Sequence, residues 1–326
     1  MNSSSMKSRA TCAVIAVLSL AAAAHAQTYP NKAIRMIVPS TPGGGTDLAA
    51  RMIAPKLSEY LGQQIVIDNR GGASGNIGAE LGARAAPDGY TLTAAVASLT
   101  SNASLMKKVP FDIERDFAPI AMTVIVPNLL ASHPSVPATN VKELIAHIKS
   151  RPGQMQFASA GVGSMPHLMM EFFVSMAGLK MNHVPYKGAG VALVDVIAGH
   201  VPLMAANILS TLPQVRAGKL RAYGVTSAKR SPGAPDIPAI SESGLPGYDA
   251  VTWFGVLAPA GLPRDIVTRL HTNVVRAVND AGVRKRFIDD GADPSPSASP
   301  EAFAALIRSE VRKWAKVIKD AGIQPE

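Results

Sequence analysis

The 326 residues are 47% apolar, enough to fill two cores of ordinary size, and carry a formal charge of +9 from 32 Lys and Arg against 23 Asp and Glu. The basic residues are scattered and aromatics make up only 5%, so the charge favours small anions and solubility and argues against a nucleic-acid partner. A single cysteine, Cys12, excludes an internal disulfide and a thiolate metal site.

Residues 1–26 place Lys7 and Arg9 ahead of an apolar run from Ala10 to Ala24, closed by Ala24-His25-Ala26. This order predicts a cleaved secretory signal peptide, a mature chain beginning at Gln27 and a periplasmic protein. The apolar run falls short of the roughly 20 residues needed to span a bilayer, and Cys12 lies too far upstream of the cleavage point to carry a lipid. Cleavage removes two cations and no acid, leaving a charge of +7. No later stretch is long and apolar enough to span a membrane.

In the mature chain, Ile34 to Val38 reads as a buried strand, Pro39-Ser40-Thr41-Pro42-Gly43-Gly44-Gly45 as a glycine-rich turn, and Thr46-Asp47 as the capped start of a helix carrying Leu48, Ile53 and Leu57. Such a turn brings N–H groups and a helix N-terminus to one point, which suits either an anion seat or a tight connection without a ligand. The unit recurs: Gln64 to Asp68 predicts a strand, Asn69 to Gly78 a second glycine-rich turn, and a helix runs on to Ala85. Tyr90 to Ala97 predicts a third strand, ending in Ser98-Leu99-Thr100-Ser101-Asn102. Phe117 to Leu130 reads as strand-rich, and a helix follows from Asn140 to Ser150.

The plan repeats in the second half. Strand Met155 to Ala158 leads through Ser159-Ala160-Gly161-Val162-Gly163-Ser164-Met165-Pro166 into a helix with Leu168, Phe172 and Met176 on its face; Ser164 can cap it. A further unit starts at His183-Val184-Pro185-Tyr186-Lys187-Gly188 and ends in strand Val201 to Ala205. Strands Leu220 to Thr226 and Thr252 to Ala258 precede helices Pro263 to Ala281 and Pro300 to Ala321, whose charges, Glu310 with Lys313 among them, read as solvated faces. Alternating strands and helices predict a mainly parallel α/β sheet with ligands at the carboxyl ends of its strands. Domain boundaries are expected at 27–127 plus 251–326 for the first domain and 128–250 for the second.

The loops lack the marks of several chemistries. Gly45 is followed by Thr46-Asp47 and not by the Lys-Ser/Thr of a phosphate loop, Gly161-Val162-Gly163 meets Pro166 where a dinucleotide site needs glycine, and neither Ser74 nor Ser164 has both glycines of a nucleophile elbow. The histidines have no metal-ligand spacing. Ser164 and His167 stand three apart without an orienting carboxylate nearby. Asp47 can cap its helix, act as a base or meet a ligand amine. No cofactor and no metal is expected. With no Arg or Lys in either loop, backbone N–H groups and the hydroxyls of Thr41, Ser74 and Ser164 are the expected donors to an anion, with Arg70 and Lys187 secondary.

Six stretches, Ile37 to Asp47, Asn69 to Glu80, Phe157 to Leu168, His183 to Gly188, Gly218 to Pro232 and Trp253 to Pro263, together resemble the Bug-type receptors, the extracytoplasmic solute-binding components of tripartite tricarboxylate transporters. The resemblance covers the whole mature chain. It implies a two-domain periplasmic binding protein of the type II, Venus-flytrap kind, a small carboxylate held in the cleft partly through water, membrane permease partners, a monomer and no enzymatic activity. It places Ser40, Thr41, Gly43 and Gly44 on the first binding loop, Ala73, Ser74 and Asn76 on the second, and Ala160, Gly163, Ser164 and His167 on the far wall. Asp47, Ser98 and Asn207 complete the candidates. The sequence departs from the pattern at Pro202 and Ala206, where relatives tend to carry Asp. An exported enzyme acting on a small carboxylate and a receptor feeding a sensor kinase are the alternatives.

The signal segment generates a direct test: intact mass of the periplasmic protein is expected to match a chain starting at Gln27. A retained Met1 or a lipid on Cys12 would refute it.

Overall fold

The computed structural model describes residues 29–106 and 108–320, so the signal segment and its cleavage point lie outside the described residues. Strand, loop and helix alternate through β1 (Ile34–Val38), α1 (Gly45–Leu61), β2 (Ile65–Asn69), α2 (Asn76–Ala83) and β3 (Thr91–Val96). Parallel pairing lays β2 and β3 on either side of β1, whose Ile34, Met36, Ile37 and Val38 are fully buried, as the apolar run requires of a strand covered on both faces.

The strand-rich segment is one 16-residue strand, β4 (Phe117–Ser132). Beyond it come α3 (Val141–Lys149), β5 (Gln156–Ser159), α4 (Met165–Ala177), β6 (Asn182–Pro185), α5 (Ala189–Ile197), β7 (Leu203–Asn207), α6 (Ile208–Arg216) and β8 (Arg221–Val225). The chain closes with β9 (Val251–Pro259), α7 (Arg264–Asn279), α8 (Ala281–Asp289), β10 (Asp293–Pro294) and α9 (Pro300–Asp320). The sheet runs β2-β1-β3-β9-β4-β7-β5-β6, with β8 and β10 also on β4. Strand β4 changes partners midway: Phe117 to Pro127 pair with β9, and Asn128 to Ser132 with β7.

Buried side chains do not divide at that switch. Ile208, Leu209 and Leu212 of α6 share a cluster with Ile53 and Leu57 of α1 and Phe287 of α8, while Phe303, Ile307 and Trp314 of α9 share another with Phe157, Met169 and Tyr223. Burial of these apolar faces therefore holds the two halves of the sheet against each other.

Three local expectations are corrected. The helix predicted from Pro263 to Ala281 stops at Asn279, because Asp280 caps a new helix, α8, by accepting from the N–H groups of Gly282 (3.0 Å) and Val283 (3.2 Å). On α4 the buried residues include Leu168, Met169, Met170 and Phe173, whereas Met176 is exposed; the helix is buried on a broader face, turned from the expected stripe. Glu310 is not on a solvated face: it is buried and accepts from Trp314 Nε1 (3.0 Å) and Lys313 Nζ (3.3 Å), satisfying an indole N–H that packing has removed from water.

Gly255 in β9 admits Phe303 to the sheet, since a Cβ there would stand 2.5 Å from the ring's Cζ and 2.8 Å from the Ala121 carbonyl oxygen. Gly255→Ala is expected to cost about 1–3 kcal/mol by overpacking, read as a lower urea midpoint with an unchanged m-value.

Candidate functional site

A cavity of about 70 Å³ lies where the carboxyl ends of β1, β2, β3, β5, β6 and β7 meet. Strands β1, β2 and β3 are parallel to one another, as are β5, β6 and β7, and the three antiparallel pairings β3–β9, β9–β4 and β4–β7 turn the two sets against each other, so their carboxyl ends meet. The N-cap residues of five helices line this one cavity: Gly44 of α1, Gly75 of α2, Ser164 of α4, Gly188 of α5 and Asn207 of α6. First-turn N–H groups have no carbonyl four residues back, and each helix start carries partial positive charge. Among the described residues, Lys187 is the one charged residue of the lining, and no carboxylate enters it.

The walls touch across the cavity. Ser74 Oγ donates to the Val162 carbonyl, and Ser101 Oγ to that of Gly163 (3.4 Å). Asn207 packs on Gly45, where a Cβ would overlap its side chain, and a Cβ at Gly188 would lie 2.5 Å from Thr41 Oγ1. The loop carrying Ser74 holds Ala73 and Ser74 at φ 46° and 53°, a left-handed conformation that non-glycine residues adopt at a cost.

Seven candidates line the cavity: Ser40, Gly44, Ser74, Ser98, Ala160, Ser164 and Asn207. The other seven, Thr41, Gly43, Asp47, Ala73, Asn76, Gly163 and His167, lie outside the lining. Asn76 Oδ1 accepts from Asn102 Nδ2 (2.6 Å). His167 Nδ1 accepts from the Gly163 N–H (3.2 Å) while its ring stacks on His183 at 4.0 Å, bracing the far wall from behind. Burial, then the neighbouring His167, pushes His183 down to about 4, so His183 stays neutral at physiological pH.

The hydroxyls expected to meet an anion have partners of their own at two of the three positions. The Ser74 proton goes to Val162, and Ser164 Oγ donates to the Gly161 carbonyl (2.6 Å) while accepting from the His167 N–H (3.4 Å); Thr41 Oγ1 is buried off the lining. The departures at Pro202 and Ala206 do not reach the cavity, because Ala206 alternates to the face opposite Asn207 and packs with Ala131, Ala158 and Leu193. Sequence reasoning missed Asn128, Thr252 and Phe254, which also line the site, and gave Lys187 a secondary place.

The sequence profile described as "Tripartite tricarboxylate transporter family receptor" matches residues 49–323. The chain belongs to this receptor family. Protein BugT of Bordetella pertussis is 38% identical over 310 residues, covering 94% of this chain and 95% of the relative. Among solved structures, an R. palustris protein with adipate matches with a TM-score of 0.88 and 38% identity, over 91% of this chain and 100% of that one. The Rhodopseudomonas palustris protein MatC, with bound malate, matches with a TM-score of 0.84 and 33% identity, over 89% and 100%. The fold is thus that of a periplasmic binding protein of the tripartite tricarboxylate receptor family. Among the described residues, no three His, Cys, Asp or Glu side chains gather as a metal site, and no helix is long and apolar enough to cross a membrane.

Within this receptor, Asp47 is the brace of the first loop. It stands in the first turn of α1, 2% exposed, and accepts from Gly43 N–H, Arg51 Nε and Asn69 Nδ2, each at 2.9 Å. Burial works to raise its pKa, but the Arg51, Gly43 and Asn69 hydrogen bonds outweigh it and hold the carboxyl below its usual range. A depressed folded value means stability that is present above the unfolded pKa of about 4 and lost as pH falls through the folded one. Asp47→Asn is therefore expected to cost about 1–2 kcal/mol at neutral pH. The gap to wild type should close as pH falls below the folded pKa, measured by chemical denaturation across the acid range.

Proposed function

We propose that this chain is an exported receptor that captures a small carboxylate and delivers it to the membrane permease of a tripartite tricarboxylate transporter, without turning it over. The observation that carries this reading is the convergence of five helix N-caps on a cavity whose lining contains no acid. An anion seated there accepts hydrogen bonds from oriented N–H groups and meets the positive poles of the helices, with no reorganisation of charged side chains. Adipate and malate in two related structures fit the same chemistry. The lining offers neither a nucleophile with its base nor a metal-ligand set, which supports capture and release.

Two lobes, 27–127 with 251–326 and 128–250, would close on the ligand about the partner switch of β4 and the entry to β9, a hinge response common to ligand clefts. The contacts of Ser74 with Val162 and of Gly45 with Asn207 suit the closed end of that motion. Export by the signal peptide and a monomeric receptor complete the reading.

Calorimetry with adipate, malate and the acids that co-purify with the mature protein tests it. One site per chain is expected, with affinity weakening less than about threefold over a tenfold rise in ionic strength, because buried dipoles are screened little. Gly45→Ala should weaken binding by about tenfold or more by displacing Asn207. Consumption of a bound acid, or affinity that collapses with salt or with Lys187→Ala, would refute the mechanism.

A further inference from the structure

Three buried side chains of the cavity lining carry polar atoms with no hydrogen-bond partner: Asn128 Oδ1, Asn207 Nδ2 and Thr252 Oγ1. The sheet register groups them. Asn128 pairs directly with Asn207 across β4 and β7, and Thr252 of β9 pairs with Val126, two residues from Asn128 and so on the same face of β4. All three residues are less than a tenth exposed.

The orientation of both amides is fixed by their other bonds. Asn128 Nδ2 donates to the Ala205 carbonyl (3.1 Å), which turns Oδ1 outward. Asn207 Oδ1 accepts from the Leu209 N–H (3.1 Å) as the cap of α6, which turns Nδ2 outward. The pair therefore presents one free acceptor beside one free donor, with a threonine hydroxyl that can take either role. A buried polar group left unmatched costs more than a matched one returns, so this trio discriminates by chemistry.

We infer that Asn128, Asn207 and Thr252 are the specificity-determining subsite of this receptor and select a carboxylate that also bears a hydroxyl, a neutral group that both donates and accepts. The inference rests on the carboxylate reading above and names the substrate class within it. A second carboxylate only accepts, so it would match Asn207 but oppose the lone pairs of Asn128 Oδ1, with Lys187 the one cation of the lining. An ammonium group only donates; it would leave Asn207 Nδ2 unmatched and sit among the positive helix poles. A methyl group would match nothing. A hydroxyl takes the Asn207 hydrogen and gives its own to Asn128 or Thr252. Discrimination then comes from the partners that wrong ligands leave unpaired.

Calorimetry with straight-chain acids from propionate to hexanoate, ended by methyl, hydroxyl or carboxylate at matched length, tests this. At the best length the hydroxyl-ended acid is expected to bind at least about tenfold tighter than either counterpart. Thr252→Val keeps the shape without the hydroxyl, and Asn207→Ser keeps a capping oxygen without the amide donor. Each should bring the ratio of hydroxyl-ended to methyl-ended affinity towards one, with thermal melting checking that the variants fold. Carboxylate binding without preference for the hydroxyl, or a ratio unchanged in both variants, overturns the subsite alone. Failure of every acid to bind overturns the carboxylate reading and the subsite with it.

Discussion

Five helix starts face one small cavity, and their like poles repel. Each helix end is equivalent to roughly half a positive charge, and the lining supplies no carboxylate to neutralise them. The repulsion is borne by burial elsewhere: α6 packs its Ile208, Leu209 and Leu212 into the cluster that holds α1, and α9 clamps Phe303 and Trp314 against the other. Apolar contact at about 25 cal/mol per Å² is the term large enough to hold such an arrangement. Polarity of the site and continuity of the core are thus two sides of one design.

Around the cavity, side chains act mainly on the backbone. Asp47 ties the first glycine loop to β2 through Asn69 and to its own helix through Arg51. The stacked Phe157, His183 and His167 rings stiffen the loop between β5 and α4. Ser159 bonds both His183 Nε2 (2.6 Å) and the Gly161 N–H (3.1 Å). The result is a pair of loops whose backbone is held by internal hydrogen bonds, and loops already ordered lower the cost of binding.

Much of this is legible in the sequence because the devices are local. Strand-end glycines, the Ser164 cap and the alternation of strand and helix depend on neighbours a few residues away. What escapes is what register decides. Asn128 is hidden inside an apolar run, and its importance follows only from standing opposite Asn207, 79 residues later. Glu310 offered a signal in its spacing from Trp314, four residues along the same helix, but its burial depends on where α9 docks. The partners of the Ser74 and Ser164 hydroxyls escape for a related reason: loop sequence shows that a serine is present, whereas the carbonyl that takes its proton belongs to the folded loops.

Three of the five caps, Gly44, Gly75 and Gly188, have no side-chain hydrogen bond at the helix start and offer main chain alone. A seat made of peptide groups has no single functional group that one substitution can delete, while the three side chains on the cavity floor are each a codon away from a different polarity. On the proposed reading, the glycine caps would serve affinity for an acid, Asn128 and Thr252 the choice among acids, and Asn207 both. Duplicated copies of such a receptor can drift to new nutrients by changing the floor, and still inherit the grip.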